Sequence, residues 1–259
     1  MWGLFESQWV EPQSVDVPIA GLPPELEGFR ILHLSDLHLG TLSLNGFALD
    51  RALEWAREQS PDLVAITGDL VTRRGGKAKL EEALARLSGR FGTFAVLGNH
   101  DVDDARDPFS RPTDVSDLHE RGATLLRGTA RTLDVDGRRI QVTGAEPDRE
   151  LADPAQLEDL VDEASDLRIL LSHFPEIVDR LRPGAYHLVL AGHLHGGQIC
   201  IPGPRGKLRL SHVRGRYWEG LFLTPGGVLH VSRGVGTTFV PFRLLARPDV
   251  TALTLERRD

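Results

Sequence analysis

Short apolar runs alternate with amphipathic segments along the first hundred residues. The runs at 29–35, 63–67 and 93–97 are nearly continuous, a pattern typical of strands buried on both faces. Between them, apolar residues recur at helical spacing over 46–59 and over 77–88, which predicts two helices. Because strands and helices alternate in this way, we expect parallel strands that are covered by helices.

The second half of the chain has a different pattern. Residues 132–142 alternate in polarity around Asp136-Gly137, which predicts a β-hairpin. Apolar spacing then predicts a helix at 155–164 and strands at 168–171, 187–191, 226–232 and 250–256. Neither repeats nor low-complexity linkers interrupt the chain. We therefore expect a single α/β domain of two packed sheets over residues 1–259.

The first 25 residues are expected to form an N-terminal extension and an edge strand. Alternating polarity over 15–26, ended by Pro23-Pro24, is typical of a strand at the edge of a sheet. Before it, Trp2, Phe5 and Trp9 would share one face if residues 1–10 were helical. Two interpretations stay open, weak contact with a membrane surface and packing on the domain, and the sequence favours packing.

Composition narrows the classes of function. The formal net charge of −7 argues against an extended nucleic-acid surface, which needs a basic face. A small phosphorylated substrate is still compatible, because bound metal ions reverse the field within one pocket. The chain has no apolar run of about 20 residues and no secretory signal pattern. We therefore expect a cytoplasmic protein, with peripheral membrane attachment as the alternative.

Five of the apolar runs end in side chains that bind metals. These side chains are Asp36 and His38, then Asp69, then Asn99, His100 and Asp101, then His173, and finally His193 and His195. Ligand-binding loops of α/β sheets lie where strands end, so we expect these residues to meet. Nitrogen and oxygen ligands without thiolates suit Mn²⁺, Zn²⁺ or Fe better than Ca²⁺.

The arrangement points to two metal ions. If the strand direction continues, Asp36 and His38 point to the same side and hold one ion, and His193 and His195 repeat this spacing. Asp69 has enough lone pairs to bridge two ions. The positive charge of two divalent cations is about one unit larger than the negative charge of two carboxylates and a bridging hydroxide, so the centre as a whole is positive. Such a centre attracts a phosphate oxyanion and supplies a nucleophile for in-line attack.

These segments together resemble the calcineurin-like metallophosphoesterase superfamily, whose blocks are D-x-H, G-D, G-N-H-[DE], a lone histidine after a strand, and G-H-x-H. The segments HGGQICIPGP at 195–204 and VSRGVG at 231–236 are similar to the bacterial YkuE/YaeI-type branch. The resemblance implies a four-layer α/β/β/α sandwich of two mixed β-sheets flanked by helices. It also implies two divalent ions, Mn²⁺, Zn²⁺ or Fe.

The resemblance assigns roles by position. The implied ligands are Asp36, His38 and His195 for the first metal, Asp69 as the bridge, and Asn99, His173 and His193 for the second. His100 matches the histidine that protonates the leaving alkoxide, and Asp101 would orient it. Asn99 and Arg233 are candidate substrate-binding residues. A structural ion pair is the equal alternative for Arg233.

The expected activity is hydrolysis of a phosphodiester or pyrophosphate-type bond, in a substrate such as a nucleotide- or lipid-linked phosphodiester. Protein phosphatases of the superfamily have glutamate where Asp101 stands, and purple acid phosphatases have tyrosine where Thr72 stands. A phosphomonoesterase and a non-catalytic binding scaffold are the alternatives, with mononuclear zinc hydrolysis of amides as a third. The irregular stretches 102–121 and 198–220 are expected to form the rims of the substrate cleft.

Overall fold

The computed structural model of the chain describes residues 1–41, 45–102, 110–111, 113–147, 154–203, 206–211 and 215–258, except for the side chain of Asn45. The helices in this part of the chain are α1 (Trp2–Glu6), α2 (Asn45–Glu58), α3 (Lys77–Ala85) and α4 (Pro154–Asp159). The strands are β1 (Glu11–Ala20), β2 (Arg30–Leu34), β3 (Leu63–Thr67), β4 (Thr93–Val96), β5 (Thr124–Leu125), β6 (Thr129–Val135), β7 (Arg138–Gly144), β8 (Leu167–Leu171), β9 (Leu188–Ala191), β10 (Cys200–Gly203), β11 (Gly206–Arg209), β12 (Gly220–Thr224), β13 (Gly227–Val231) and β14 (Asp249–Arg258).

Two mixed sheets form the centre of the fold. The first has the strand order β1-β14-β2-β3-β4-β5, in which β2 to β5 are parallel and β14 runs against β2. The second has the order β12-β13-β9-β8-β7-β6, with parallel central strands and an antiparallel hairpin at each edge. Strands β10 and β11 form a separate hairpin.

Three hydrophobic clusters separate the layers. Between the two sheets, Ile31 and Phe94 of the first pack in one cluster with Ile169 of the second. Outside the first sheet, the apolar sides of α2 and α3 cover β2 and β3. Outside the second, Leu157 of α4 belongs to the cluster that covers β8 and β9. Full burial of each aliphatic side chain stabilises the fold by roughly 1.5–3 kcal/mol. Because helices cover the outer face of each of the two packed sheets, the predicted α/β/β/α sandwich is confirmed.

The predicted strands and helices agree with the structure in kind, although two of them differ clearly in their boundaries. Strand β1 begins at Glu11, earlier than predicted, and lies at the edge of its sheet as expected. Helix α4 ends at Asp159, whereas the pattern predicted helix to residue 164. The reason is a tertiary contact: the side chain of Gln141 on β7 donates to the Leu160 carbonyl and accepts from the Asp162 N–H, which occupies groups that a longer helix would use. The expectation that 198–220 is irregular is wrong in part, because this stretch contains the β10-β11 hairpin.

Each predicted ligand motif follows a strand end. Strands β2, β3 and β4 are neighbours in the first sheet and end next to Asp36, Asp69 and Asn99. Strands β8 and β9 are neighbours in the second and end before His173 and His193. Since these strands are parallel within each sheet, their carboxyl ends lie at the same edge. In the described part of the chain, none of the helices has the length and hydrophobicity needed for a membrane span.

Candidate metal centre

The backbone turns sharply at most of the predicted ligands. A left-handed φ occurs at Asp36 (50°), His38 (46°), Asp69 (52°), His193 (75°) and His195 (49°). This conformation is uncommon outside glycine, and when it clusters it marks functional sites. The expectation that Asp36 and His38 continue an extended strand is wrong, because β2 ends at Leu34. The tight turn nevertheless brings both side chains to one point.

Asp36, His38 and His195 form the first group of ligands. Their ligand atoms all lie within 4.8 Å of one another, and all three side chains are buried. The His195 Nε2 atom is 3.3 Å from Asp36 Oδ1 and 3.2 Å from His38 Nε2. One carboxylate oxygen and two imidazole nitrogens at this separation suit a single cation.

His173 and His193 form a second group beside the first. The His173 Nε2 atom is 3.3 Å from Asp69 Oδ2 and 3.2 Å from His193 Nδ1. The same Asp69 Oδ2 atom is 3.4 Å from His38 Nε2, which belongs to the first group. The Asp69 carboxylate therefore lies between the two groups.

Two buried oxygen atoms that have no hydrogen-bond partner in the described part of the chain indicate that the site suits a cation. Within the described residues, Asp36 Oδ1 and Asn99 Oδ1 are buried and have no hydrogen-bond partner. A buried polar atom left unsatisfied costs about 1–3 kcal/mol, and coordination to a cation removes that cost. The other oxygen of Asp36 is already occupied, since it accepts from the Ser35 hydroxyl at 2.5 Å and from the His193 N–H at 3.0 Å. The residues present therefore fit a divalent metal.

Neighbouring groups orient the imidazole rings. The His173 Nδ1 atom lies 2.8 Å from the carbonyl oxygen of Thr67, so Nδ1 carries the hydrogen and Nε2 faces the site. The His38 Nδ1 atom lies 2.9 Å from Thr72 Oγ1. Sequence reasoning did not identify these supporting roles, because neither residue has a metal-binding side chain or a diagnostic spacing.

Arg243 is the largest supporting residue that the sequence did not reveal. It is fully buried, and burial lowers its pKa to about 10, so it keeps its charge at neutral pH. Its guanidinium donates to the carbonyl oxygens of His195, Arg233, Gly234, Gly236 and Ala246. Its Nη2 atom also lies 3.2 Å from His195 Nδ1. Arg243 thus ties the loop between β13 and β14 to the loop that carries His195, and no motif in the sequence marks it.

His100 lies next to the ligands. Its Nε2 atom is 3.9 Å from Asp69 Oδ2 and 3.5 Å from the Thr238 hydroxyl, so the ring edge faces the centre. Its Nδ1 atom lies 3.2 Å from Ser110 Oγ. Ser110 belongs to the predicted rim at 102–121, of which 103–109 and 112 lie outside the described residues.

The Asp101 carboxylate forms hydrogen bonds with backbone N–H groups of two loops. It accepts hydrogen bonds from the N–H groups of Leu70, Val71 and Gly98 at 2.8–3.1 Å. Burial and the nearby Asp69 carboxylate raise the pKa of Asp101 to about 7, against those three donors. These bonds join the loop after Asp69 to the loop that carries His100. The orienting role of Asp101 stays a prediction, and the structure adds this loop-joining role.

Arg233 is held by carboxylates. Its side chain is buried, and its nitrogens lie 2.9 Å from Glu11, 3.2 Å from Asp249 and 3.6 Å from Glu219. These contacts are the ones expected if Arg233 forms a structural ion pair, and its role in substrate binding stays a prediction.

The other predicted rim of the substrate cleft, 198–220, includes Gln198, whose side chain binds the Thr238 and Val240 backbone. Its residues 204–205 and 212–214 lie outside the described residues.

Metal affinity should rise with pH because His173 must lose a proton. Burial disfavours the imidazolium, but the Asp69 charge outweighs it and raises the pKa of His173 to about 9. In the metal-free chain, His173 is therefore protonated at neutral pH, and a cation that binds Nε2 displaces that proton. Below pH 9 we expect affinity to increase about tenfold per pH unit.

Calorimetric titration with Mn²⁺ in buffers of different ionisation enthalpy measures the protons released. We expect His173→Gln to release fewer protons than the parent chain at neutral pH. An affinity that stays constant between about pH 6 and pH 8 would contradict the protonated state of His173.

Gly192 leaves room for the Asp36 carboxylate. A Cβ atom at this position would overlap the Ser35 hydroxyl and Asp36 Oδ2. We expect Gly192→Ala to lower the free energy of unfolding by about 1–3 kcal/mol and to weaken metal binding. Gly46→Ala is the matched control, since a Cβ there meets no atom within 4 Å in a helix. Urea unfolding compares the two, and equal stability of both variants would contradict the close packing at Gly192.

Comparison with known proteins shows that this chain is similar to phosphoesterases. Residues 29–197 match the family model described as calcineurin-like phosphoesterase. The chain is 29% identical to the metallophosphoesterase YkuE of Bacillus subtilis, over 98% of this chain and 90% of that protein. It is 30% identical to the phosphodiesterase YaeI of Escherichia coli, over 88% of this chain and 82% of that protein.

The solved structures that resemble this chain include a protein of Plasmodium. The anchor protein GAP50 of the Plasmodium inner membrane complex superposes with a TM-score of 0.50 at 9% identity, over 87% of this chain and 80% of that one. At this identity, the likeness concerns the fold alone.

Proposed function

We propose that this chain, which belongs to the calcineurin-like phosphoesterase family, hydrolyses a phosphodiester or pyrophosphate-type bond with two divalent cations. One observation carries the proposal: Asp69 Oδ2 lies 3.4 Å from His38 Nε2 and 3.3 Å from His173 Nε2, which belong to separate groups of ligands. A carboxylate shared in this way is the element that a paired cation site requires.

The ligands of each cation follow from the two groups. The first cation would be held by Asp36, His38 and His195, and the second by Asn99, His173 and His193, with Asp69 between them. When bound, the pair supplies a water-derived nucleophile at neutral pH and neutralises charge on the phosphoryl oxygens. Nitrogen and oxygen donors suit Mn²⁺, Zn²⁺ or Fe.

The protein residues position the substrate and move one proton. The Asn99 side-chain oxygen is buried and has no hydrogen-bond partner among the described residues, and we assign it to the second metal and to a phosphoryl oxygen. His100 turns Nε2 toward the centre, and Ser110 lies against its other nitrogen. We assign His100 to protonation of the leaving alkoxide, because imidazolium is a strong enough acid near neutral pH.

Two observations support a diester over a monoester. The residues that mark the protein phosphatases and the purple acid phosphatases are replaced by Asp101 and Thr72. The Thr72 hydroxyl contacts the His38 ring, so this residue supports a ligand in the present chain. The relative YaeI is named a phosphodiesterase.

A substrate panel tests the proposal. The metal-replete chain is assayed with bis(p-nitrophenyl) phosphate, p-nitrophenyl phosphate, cyclic nucleotides and a UDP-lipid analogue. We expect the diesters to react faster than the monoester. A strong preference for the monoester would overturn the diester assignment, and no hydrolysis in the whole panel would favour the binding-scaffold alternative.

A further inference from the structure

Helix α1 is packed with its polar side inward. Glu6 and Ser7 are only 3% and 1% exposed, whereas Trp2 and Phe5 are 57% and 53% exposed. The Glu6 carboxylate accepts from the Ala246 N–H at 2.9 Å and from the Trp2 indole N–H at 3.0 Å. A helix on a protein surface usually buries its apolar side. Here a buried carboxylate fixes the aromatic residues toward the outside.

The exposed aromatic rings form one cluster. The ring centroids of Trp2, Phe5 and Trp9 lie 5.5–6.4 Å apart, and Trp9 is 40% exposed. Leu4 beside them is also 40% exposed. The sequence favoured packing of these side chains on the domain, and the structure instead leaves about half of each aromatic surface open.

The loop that supports α1 adds two more apolar side chains. Phe239 and Leu245 are 51% and 37% exposed, and both have a left-handed backbone, with φ of 57° and 53°. That conformation is strained for bulky residues and persists only where the surroundings impose it. We call Trp2, Leu4, Phe5, Trp9, Phe239 and Leu245 the apolar rim.

The same loop reaches the metal centre. Thr238, next to Phe239, places its hydroxyl 3.5 Å from His100 Nε2. Arg243, whose N–H donates to the Gly3 carbonyl of α1, contacts His195 with its guanidinium. One loop therefore joins the apolar rim to a metal ligand and to the proposed general acid.

Basic groups border the apolar rim. A cavity of about 330 Å³ is lined by Trp2, Glu6, Trp9, Glu11, Lys207, Arg233, Leu245 and Arg247. Arg233 is buried against carboxylates, so the bases at the surface are Lys207 and Arg247, which are 37% and 35% exposed and lie 3.4 Å and 3.8 Å from Glu219 and Glu11. Arg247 lies 4.4 Å above the Trp9 ring. Aromatic rings flanked by long basic side chains suit the boundary of an anionic bilayer.

The size of the apolar rim favours a lipid surface over a second copy of the chain. A stable interface between proteins takes about 20–30 residues on each side. The apolar rim as defined among the described residues has six, grouped on α1 and one loop. Insertion of a few aromatic side chains is how peripheral proteins bind lipid.

We propose that the apolar rim docks this protein on an anionic lipid surface and presents the metal centre to amphiphilic phosphoesters. The choice of substrate class rests on the proposed function, whereas the docking itself does not. Lipid-linked phosphoesters expose their phosphate at the bilayer boundary, so a centre next to the apolar rim would meet it there.

Vesicle flotation of the full chain tests the docking, both metal-loaded and in EDTA. The probes are vesicles of phosphatidylcholine alone and of phosphatidylcholine with phosphatidylglycerol. We expect binding to the anionic vesicles, weakened by salt, in both metal states. Phe5→Ser/Trp9→Ser should weaken binding about tenfold or more. Leu223→Ser is the matched control, because Leu223 on β12 is 59% exposed and outside the apolar rim.

Hydrolysis of soluble bis(p-nitrophenyl) phosphate, measured on the same samples, keeps the two proposals separate. We expect the double variant to match the parent chain there, and to lose rate only on a phosphodiester embedded in vesicles. If the parent chain does not float, or if the double variant floats as well as Leu223→Ser, the docking proposal is overturned. It is equally overturned if light scattering shows a dimer that the double variant converts to monomer. Absence of all hydrolysis with intact flotation would instead refute the proposed function.

Discussion

Asp69→Asn is expected to lose stable metal binding, by on the order of 10²-fold or more in affinity. The change removes the negative charge between the two groups of ligands. It also replaces one carboxylate oxygen with an NH₂ group, which donates hydrogen bonds and does not bind a cation. Asp69 Oδ1 accepts from the His100 N–H at 2.9 Å, so the amide can keep that bond only by turning its NH₂ toward the cations. Elemental analysis after exhaustive dialysis measures the retained metal.

Asp16→Asn is the matched control for this variant. Asp16 lies on the exposed side of β1, so the same change of charge and size should leave the metal content as it is in the parent chain. A normal thermal unfolding curve for Asp69→Asn would show that metal is lost without loss of the fold. Full metal content in Asp69→Asn would contradict the bridging position of this carboxylate.

His100→Asn should keep the metals and lose turnover by about 10²–10⁴ on substrates with poor leaving groups. The amide preserves a polar group next to Asp69 and the Thr238 hydroxyl but cannot deliver a proton to an alkoxide. With a p-nitrophenolate leaving group, which needs little protonation, the loss should be much smaller. The ratio of kcat for an alkyl and an aryl diester isolates this effect from any change in metal content.

A matched variant at an exposed histidine controls for the substitution itself. The His119 side chain is 70% exposed, and His119→Asn should retain parental kcat on both substrates. If His100→Asn hydrolyses the alkyl diester as fast as the parent chain, the general-acid assignment is wrong.

The buried strands and the meeting of the candidate ligands could be predicted because both follow from local pattern. The apolar runs before Asp36, Asp69 and Asn99 are buried strands, and parallel neighbours bring their ends together. The family resemblance added the four-layer arrangement, which the pattern alone did not reach. The matched family model and the two sheets confirm the family and the fold class.

What could not be predicted depends on contacts between distant parts of the chain. His38 and His195 are 157 residues apart, and their rings meet only because both backbones turn left-handed after their strands. Arg243 has no local signature, since its role depends on bonds to the His195 loop, 48 residues away, as well as to carbonyl oxygens of its own loop. The outward aromatic side of α1 was likewise hidden, because it depends on the tertiary bond from the Ala246 N–H to Glu6.

The central claim is a pair of cations held by seven side chains at the ends of five strands. The most direct test is elemental analysis of the chain after it has been loaded with Mn²⁺ and freed of excess metal. We predict two metal ions per chain. A value of one or none, for a chain that unfolds cooperatively and is therefore intact, would contradict the account.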